Sequence, residues 1–262
     1  MEVQIKRAVK AGNSSAVILP RAWLNKEVRV ELMKKTPEII LADVIGILNR
    51  HIILNEVIGI YLVGSYARGD EDENSDIDIL VITHDIDKEI IKEGIYNILI
   101  VSSKLLNQKL NQDLFPVGQM IKEAKSLLNS NYLSQLEVNV TNKNINWYLD
   151  TTEDKLNIIK KVIDKTRKTN KSLSDKIAYT LILRIRTLYI IKKLLKNQNY
   201  SKKDFIKTIE SISIGKNAYE RYLAVKNNLE EKKIISIGEV ERLYAYLARQ
   251  LAEVKGLLKG RK

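Results

Sequence analysis

Two aspartates set two positions apart, Asp76 and Asp78, are the residues of this sequence best suited to chemistry. They flank the start of the apolar run Ile77–Ile82, whose length and composition predict a buried β-strand. Side chains alternate between the two faces of a strand, so both carboxylates are predicted on one face, about 6–7 Å apart. Their repulsion is relieved most easily by a shared hard cation such as Mg²⁺, which prefers carboxylate, water and phosphate oxygens.

A second polar feature, Gly64-Ser65, directly follows the apolar run Val57–Val63, which is also predicted to be a buried strand. Glycine lets the backbone come close to a ligand, and serine adds a hydroxyl group. Free backbone amides at the start of a short helix would attract phosphate. A phosphate cradle beside two carboxylates is suited to moving a phosphoryl or nucleotidyl group.

Three short motifs lie at the ends of these predicted strands: Gly64-Ser65, Arg68-Gly69 and Ser75–Asp78. Together they resemble the signature of the DNA polymerase beta-like nucleotidyltransferase superfamily, especially its minimal nucleotidyltransferase branch. The resemblance covers residues 37–103. It implies a mixed-sheet domain with flanking helices that moves an NMP from an NTP, expected to be ATP, to an acceptor hydroxyl.

The same resemblance implies roles for individual residues. Asp76 and Asp78 would be catalytic and would hold one or two Mg²⁺ or Mn²⁺ ions. Gly64 and Ser65 would hold the β- and γ-phosphates of the nucleotide. The secondary candidates for phosphate binding or for ordering the loop are Arg68 and Ser75.

One position departs from the pattern of the superfamily, which usually has a third carboxylate on a later strand. Asn97 stands at that place, in the apolar run Ile95–Val101. A neutral amide can offer an oxygen to a metal or to water, but it cannot act as a general base. Three interpretations stay open: catalysis with two carboxylates, substitution by a remote acid, or loss of chemistry with nucleotide binding retained. The next acids along the chain are Asp113, Glu123 and Glu137.

Composition narrows the class of protein. The chain has 262 residues, 45% of them hydrophobic, which is enough for one large domain or two small ones with a real core. The absence of cysteine excludes disulfides and thiolate metal sites, and it suits a reducing cytoplasm. The sequence contains no apolar run of about 18 residues, so no membrane-spanning helix is predicted. The first ten residues carry no apolar signal-peptide core, so a cytoplasmic protein without membrane contact is expected.

The net charge of +12 is unevenly distributed along the chain. Residues 41–150 carry 9 Lys and Arg against 16 Asp and Glu, whereas residues 151–262 carry 27 against 12. Such a basic segment favours RNA or another polyanion as a partner and disfavours a cationic acceptor such as an aminoglycoside. A solvated lysine-rich surface is the alternative, and the sequence leaves both open.

Residues 1–36 are predicted to form a separate β-hairpin module. The pattern GNSSAVILPRAW followed by VRVEL resembles the AbrB/SpoVT/MazE-like swapped-hairpin modules, with Val28–Leu32 as one strand. The resemblance implies a small barrel completed by two chains, hence a homodimer, because so few residues cannot bury a core alone. It also implies DNA contacts through basic hairpin residues, here Lys6, Arg7, Lys10 and Arg21. A hairpin packed on the catalytic domain is the alternative.

Local signals predict further elements between residues 36 and 150. A helix from Pro37 to about His51 would be capped by Thr36. Its inward residues would be Ile40, Val44, Ile47 and Leu48. The remaining predictions are a helix from Asp85 or Asp87 to Glu93, a strand at Ile95–Val101, helices at 102–111 and 116–128, and an irregular stretch at 129–150.

From residue 151 onward the pattern is helical throughout. Capping-box spacing occurs at four places: Thr151, Ser172, Ser201 and Ser236. The predicted helices are 152–168, 173–197, 202–212, 216–230 and 237–258. Within the second helix, Arg184 and Arg186 would either pair with an acid or line a cleft toward phosphate. The bundle resembles the α-helical second domain of the kanamycin nucleotidyltransferase type.

The sequence thus predicts an α+β protein with four segments. These are a β-hairpin module at 1–36, a mixed-sheet nucleotidyltransferase domain at 37–130, a connection at 131–150 and a basic all-α bundle at 151–262. The predicted function is Mg²⁺-dependent nucleotidyl transfer to nucleic acid or another anionic acceptor. Two alternatives stay open: an antitoxin-type enzyme that nucleotidylates a protein, and a DNA-binding regulator whose weakened domain only senses nucleotide.

Overall fold

The computed structural model describes residues 3–6, 8–32, 36–52, 54–72, 75–169, 173–214, 217–226 and 235–260. The chain divides into two compact units. The first unit consists of Met1–Gln108 and Glu123–Glu137, and the second of Lys109–Lys122 and Val138–Lys262. Each unit therefore takes two separate pieces of the sequence, and the four-segment division stays a prediction.

The N-terminal strands β1 (Val9–Ala11) and β2 (Ser14–Ala16) form an exposed antiparallel hairpin. The strand predicted at Val28–Leu32 is wrong, because these residues join no sheet of the described chain. Val28, Val30 and Leu32 are all exposed. Alternating apolar residues do not suffice for a strand, since the backbone also needs a partner for its N–H and C=O groups.

A mixed five-stranded sheet forms the centre of the first unit, in the order β5-β6-β4-β3-β7. Its strands are β3 (Val57–Val63), β4 (Ile77–Thr83), β5 (Lys88–Glu93), β6 (Tyr96–Ser102) and β7 (Lys125–Leu128). The central strand β4 runs antiparallel to β3 and parallel to β6. The strands predicted at β3, β4 and β6 are confirmed to within one residue at each end.

Among the described residues up to 134, five segments are α-helical. They are α1 (Pro37–Leu48), α2 (Gly64–Arg68), α3 (Ser103–Gln112), α4 (Val117–Glu123) and α5 (Ser130–Ser134). Thr36 caps α1 as predicted, because its side chain accepts from the N–H of Ile39. The four predicted inward residues of α1 are buried against the sheet residues Ile77, Ile79 and Ile98.

Two helices predicted between residues 85 and 128 are wrong. Residues 88–93 form the strand β5 instead of a helix, with Ile91 buried and Ile90 exposed, which is the alternation of a strand. Asp87 does not cap a helix, because its carboxylate accepts from the N–H and hydroxyl of Ser102. The single helix predicted at 116–128 ends at Glu123, and β7 follows because it pairs with the edge of β3.

The second unit contains the five C-terminal helices. They are α6 (Asn142–Thr169), α7 (Asp175–Leu195), α8 (Lys202–Ser213), α9 (Asn217–Lys226) and α10 (Ile237–Lys259). Helix α10 packs on α6, α7 and α8, and α7 also packs on α9. Within the described ranges, no helix has both the length and the apolar character needed to span a membrane.

Helix starts follow the predicted caps in part. Ser201 and Ser236 cap α8 and α10 as predicted, and Ser236 forms a reciprocal capping box with Glu239. The predicted cap at Ser172 lies outside the described residues, and Ser174 caps α7.

The cap predicted at Thr151 is wrong, and so is the irregular stretch at 129–150, which contains α5 and the start of α6. The first turn of α6 is closed by reciprocal hydrogen bonds between Thr141 and Asn144. Thr151 lies inside the helix, where its hydroxyl donates to the carbonyl of Trp147. A threonine four residues after a carbonyl can satisfy its hydroxyl this way, so the capping pattern alone does not fix the start.

Candidate functional site

The end of β3 and the start of β4 meet at Gly64 and Asp78. Val63 pairs with Asp78 in the β3–β4 register, so the next residue, Gly64, lies against the aspartate. Gly64 has φ +71°, and a Cβ atom added there would lie 2.2 Å from Oδ2 of Asp78. Only glycine allows this backbone conformation and this close approach together.

The two predicted catalytic aspartates surround the side chain of Asn97. In the parallel β4–β6 pair, Asp78 lies opposite Asn97. The Nδ2 atom of Asn97 lies 3.3 Å from Oδ2 of Asp76 and 3.3 Å from Oδ1 of Asp78. Both carboxylates therefore lie on one side of the sheet, while Ile77 between them is buried in the core. The amide N–H group offsets part of the repulsion between the two negative charges.

The donor atoms at this place suit a hard divalent cation. Asp76 and Asp78 offer carboxylate oxygens, and rotation of the Asn97 amide would present its oxygen in place of its nitrogen. Among the residues that the structure describes, no cluster of three or more His, Asp and Glu side chains could hold a metal. A metal here would therefore depend on two acids and a neutral oxygen donor, and the kinds of donor fit Mg²⁺ or Mn²⁺.

Arg68 is paired with two carboxylates. Its Nε and one terminal nitrogen bind Asp70 at 3.1 and 3.0 Å, and the other terminal nitrogen binds Oε2 of Glu123 at 2.7 Å. Burial alone would lower the pKa of the Arg68 guanidinium, but the hydrogen bond to Asp70 and the charge of Glu123 outweigh it and raise the pKa. Of its two predicted roles, this geometry favours ordering of the loop over phosphate binding.

The other two predicted residues lie on either side of the acidic loop, which is the segment 70–74: Ser65 lies in α2, and Ser75 lies directly before Asp76. The hydroxyl of Ser75 donates to the carboxylate of Asp72 and accepts from the N–H of Asp72, at 3.0 and 2.8 Å. These hydrogen bonds join Asp72 to Ser75, the residue directly before Asp76. Ser65 is half-buried in α2, and its carbonyl accepts from the N–H groups of Gly69 and Asp70.

Glu123, one of the three remote acids considered in the sequence analysis, contacts the site. Its side chain is 6% exposed. Oε1 accepts from the N–H of Gly64 at 2.8 Å, and Oε2 accepts from Arg68. No local pattern signals this contact, because 59 residues separate Glu123 from Gly64. Of the other two acids, Asp113 belongs to the second unit and binds Tyr148 and Lys109, and Glu137 is exposed.

Arg184 and Arg186, which were predicted either to pair with an acid or to line a cleft, contact a threonine and a tyrosine of the second unit. Arg184 donates to Thr151 at 2.9 Å, and burial lowers the pKa of Arg184. The guanidinium of Arg186 lies 5.5 Å from the ring centroid of Tyr200. Burial would lower the pKa of Arg186, but the phenols of Tyr200 and Tyr222 outweigh it and raise the pKa.

The predicted DNA-binding residues of the hairpin module are only partly described. Lys6, Lys10 and Arg21 are exposed, as a nucleic-acid contact requires. Arg7 lies outside the described residues. The AbrB-like resemblance, the dimer and the DNA contact stay predictions.

Comparison with known proteins identifies the family. Residues 44–236, more than half of the chain, match the family model described as nucleotidyltransferase domain. The chain belongs to this family. The predicted membership in the nucleotidyltransferases is thereby confirmed.

A curated relative and two solved structures are similar to parts of the chain. A Methanocaldococcus jannaschii protein named "putative protein adenylyltransferase" is 44% identical over 62 residues, which are 20% of this chain and 61% of that protein. A nucleotidyltransferase-like protein from Exiguobacterium sibiricum has a TM-score of 0.39 and 13% identity, covering 82% of this chain and 75% of that one. The spectinomycin adenyltransferase AAD(9) from Enterococcus faecialis has a TM-score of 0.40 and 16% identity, covering 81% and 98%.

Proposed function

We propose that this enzyme moves an NMP from an NTP, with ATP favoured, to an acceptor hydroxyl in a reaction that depends on Mg²⁺ or Mn²⁺. The observation that carries the proposal is the placement of Asp76 and Asp78 around one point, beside a glycine that admits close approach. Asp76 and Asp78 would hold the cation, and rotation of the Asn97 amide would add its oxygen as a neutral third donor. A bound cation supplies charge stabilisation at the α-phosphate and on the leaving pyrophosphate.

The reaction forms one bond and breaks one. The acceptor oxygen attacks the α-phosphorus, the bond from that phosphorus to the bridging oxygen breaks, and pyrophosphate leaves. Asn97 cannot take the proton of the acceptor hydroxyl, because an amide is not a base in this range. The proton therefore passes to Asp76, Asp78 or solvent. Gly64 and Ser65 lie beside the phosphates. The N–H of Gly64 donates to Glu123 and is therefore not available to a phosphate. Gly64 contributes instead by having no side chain, which lets the nucleotide come close to the backbone.

Two acceptor classes have separate support. The excess of basic residues in 151–262 supports a nucleic acid or another polyanion. The similarity of 62 residues to a protein named as a protein adenylyltransferase supports a hydroxyl on a partner protein. The polyanion is the first candidate, because its support comes from the charge of this chain itself.

Digestion of the labelled product separates these two candidates. The enzyme is incubated with Mg²⁺, ATP labelled at the α-phosphorus, total RNA and the proteins of a cell extract. A polyanion acceptor predicts a labelled product that is destroyed by ribonuclease and resists protease, and a protein acceptor predicts the reverse. Absence of transfer to either acceptor with any of the four NTPs would remove the enzymatic proposal.

A further inference from the structure

The five-residue helix α2 is held at both ends by one carboxylate. Glu123 accepts from the N–H of Gly64, the first residue of α2, and from the guanidinium of Arg68, its last residue. The first four N–H groups of any helix have no intrahelical acceptor, so most of a helix this short depends on partners from elsewhere. Glu123 supplies such a partner from α4, and the carboxylate is more than nine-tenths buried.

The connection continues from α2 into the acidic loop. Arg68 binds both carboxylate oxygens of Asp70, at 3.1 and 3.0 Å, in the bidentate geometry that fixes a guanidinium most firmly. The N–H groups of Gly69 and Asp70 also bind the carbonyl of Ser65. These hydrogen bonds hold Asp70 in place. Asp70 precedes Asp76, the more exposed of the two proposed catalytic aspartates, by six residues.

This arrangement also decides between two roles for Glu123. The oxygens of Glu123 accept from Gly64 and Arg68, and the side chain is only 6% exposed, so a substrate hydroxyl has little access to the carboxylate. Glu123 is therefore suited to holding the site and not to moving a proton.

We infer that Glu123 is a positioning residue: it ties the glycine-serine turn to Arg68 and, through Asp70, holds the loop that presents Asp76. Its effect on turnover rests on the proposed function. Its effect on the loop does not, because the hydrogen bonds exist in the chain without substrate.

Amide hydrogen exchange of the whole chain without nucleotide tests the structural part. Glu123→Ala removes both hydrogen bonds, and Glu123→Gln keeps an oxygen acceptor but removes the charge facing Arg68. Exchange over residues 64–78 should be at least about tenfold faster in Glu123→Ala, and intermediate in Glu123→Gln. The exposed Glu27, changed to Gln, is the matched control and should leave this exchange unchanged. Equal exchange in all four proteins would overturn the inference.

Asp70→Asn keeps the test decisive if Glu123→Ala does not fold. It leaves both hydrogen bonds of Glu123 in place and weakens only the outer connection from Arg68. Faster exchange is then expected in residues 70–78, while α2 keeps its protection. Unchanged exchange in residues 70–78 would show that the connection does not hold the loop.

Kinetics test the catalytic part. A positioning role predicts that Glu123→Ala raises the KM for ATP and lowers kcat, that Glu123→Gln restores part of both, and that the pH profile keeps its shape. A general base predicts that Gln is as inactive as Ala and that the acidic limb of the profile disappears. That second result would overturn the inference. If the unaltered enzyme transfers no nucleotide, the proposed function fails, while the exchange result still decides the role of Glu123.

Discussion

Gly64 fits its place through two separate properties, its backbone conformation and its missing side chain. Its φ of +71° favours glycine, and Asp78 occupies the space that a Cβ atom would need. Gly69 has a similar φ of +74°, but a Cβ atom added to Gly69 would meet no other atom within 4 Å. Comparing substitutions at the two glycines therefore distinguishes the effect of backbone strain from the effect of contact with Asp78.

Alanine at these two glycines should have unequal effects. Gly69→Ala should lower the free energy of unfolding by about 1–3 kcal/mol through backbone strain alone. Gly64→Ala should lower it further and should also reduce nucleotide binding, because the added methyl group displaces Asp78. Urea unfolding and calorimetric titration of an ATP analogue measure both effects. Equal losses of stability with nucleotide binding intact would show that the contact with Asp78 does not matter.

Replacing Asn97 by aspartate should lower the stability of the metal-free protein and raise its affinity for a metal ion. In Asn97→Asp the N–H groups that reach Asp76 and Asp78 are lost, so the metal-free protein should lose about 1–3 kcal/mol. A third carboxylate should tighten Mn²⁺ binding about tenfold or more, which is about 1.4 kcal/mol per factor of ten. Thermal melts with EDTA or Mn²⁺, and calorimetric titration, measure this.

The exposed Asn55, changed to Asp, is the matched control and should alter neither property. Unchanged Mn²⁺ affinity in Asn97→Asp would contradict the assignment of this site to a metal.

The common face of Asp76 and Asp78 and the position of Gly64 could be predicted from the sequence because both depend on local spacing. Asp76 and Asp78 need only the two-residue period of a strand, and Gly64 follows directly on a strand. Glu123 could not be found in this way, since its hydrogen bonds join residues 55 and 59 positions apart. Such contacts follow from tertiary packing and leave no periodic signal.

At the scale of secondary-structure elements, the predictions were right where residues within the element carry a strong signal. The buried strands β3 and β4 and the caps Ser201 and Ser236 are of this kind. The errors at β5 and β7 arose where pairing with a neighbouring strand decides between helix and strand. The early start of α6 was missed because Thr151 fits a cap as well as a helix interior.

The cap of α10 offers a prediction at this scale. Ser236→Ala should lower the free energy of unfolding by about 1 kcal/mol, because the N–H of Glu239 loses its acceptor. Ser211→Ala is the matched control, since Ser211 lies exposed inside α8 and its hydroxyl binds only a carbonyl of its own helix. Chemical unfolding of both variants measures the difference. A loss no larger for Ser236 than for Ser211 would contradict a capping role.

For the whole molecule, the uneven charge leads to a prediction about partners. If residues 151–262 bind a polyanion, the affinity for single-stranded RNA should fall steeply with salt, with a logarithmic slope of about −0.7 for each phosphate contacted. Fluorescence anisotropy between low and physiological salt measures this slope. A protein that binds no RNA at low salt would instead have the solvated lysine-rich surface that the composition also allows.

The most direct test of nucleotidyl transfer compares ATP labelled at the α-phosphorus with ATP labelled at the γ-phosphorus. The α label should enter the acceptor, and the γ label should leave as pyrophosphate. Asp76→Ala and Asp78→Ala should each abolish the transfer, whereas alanine at the exposed Asp85 should not. Transfer of the γ label, or transfer of the α label that survives loss of both aspartates, would contradict the account.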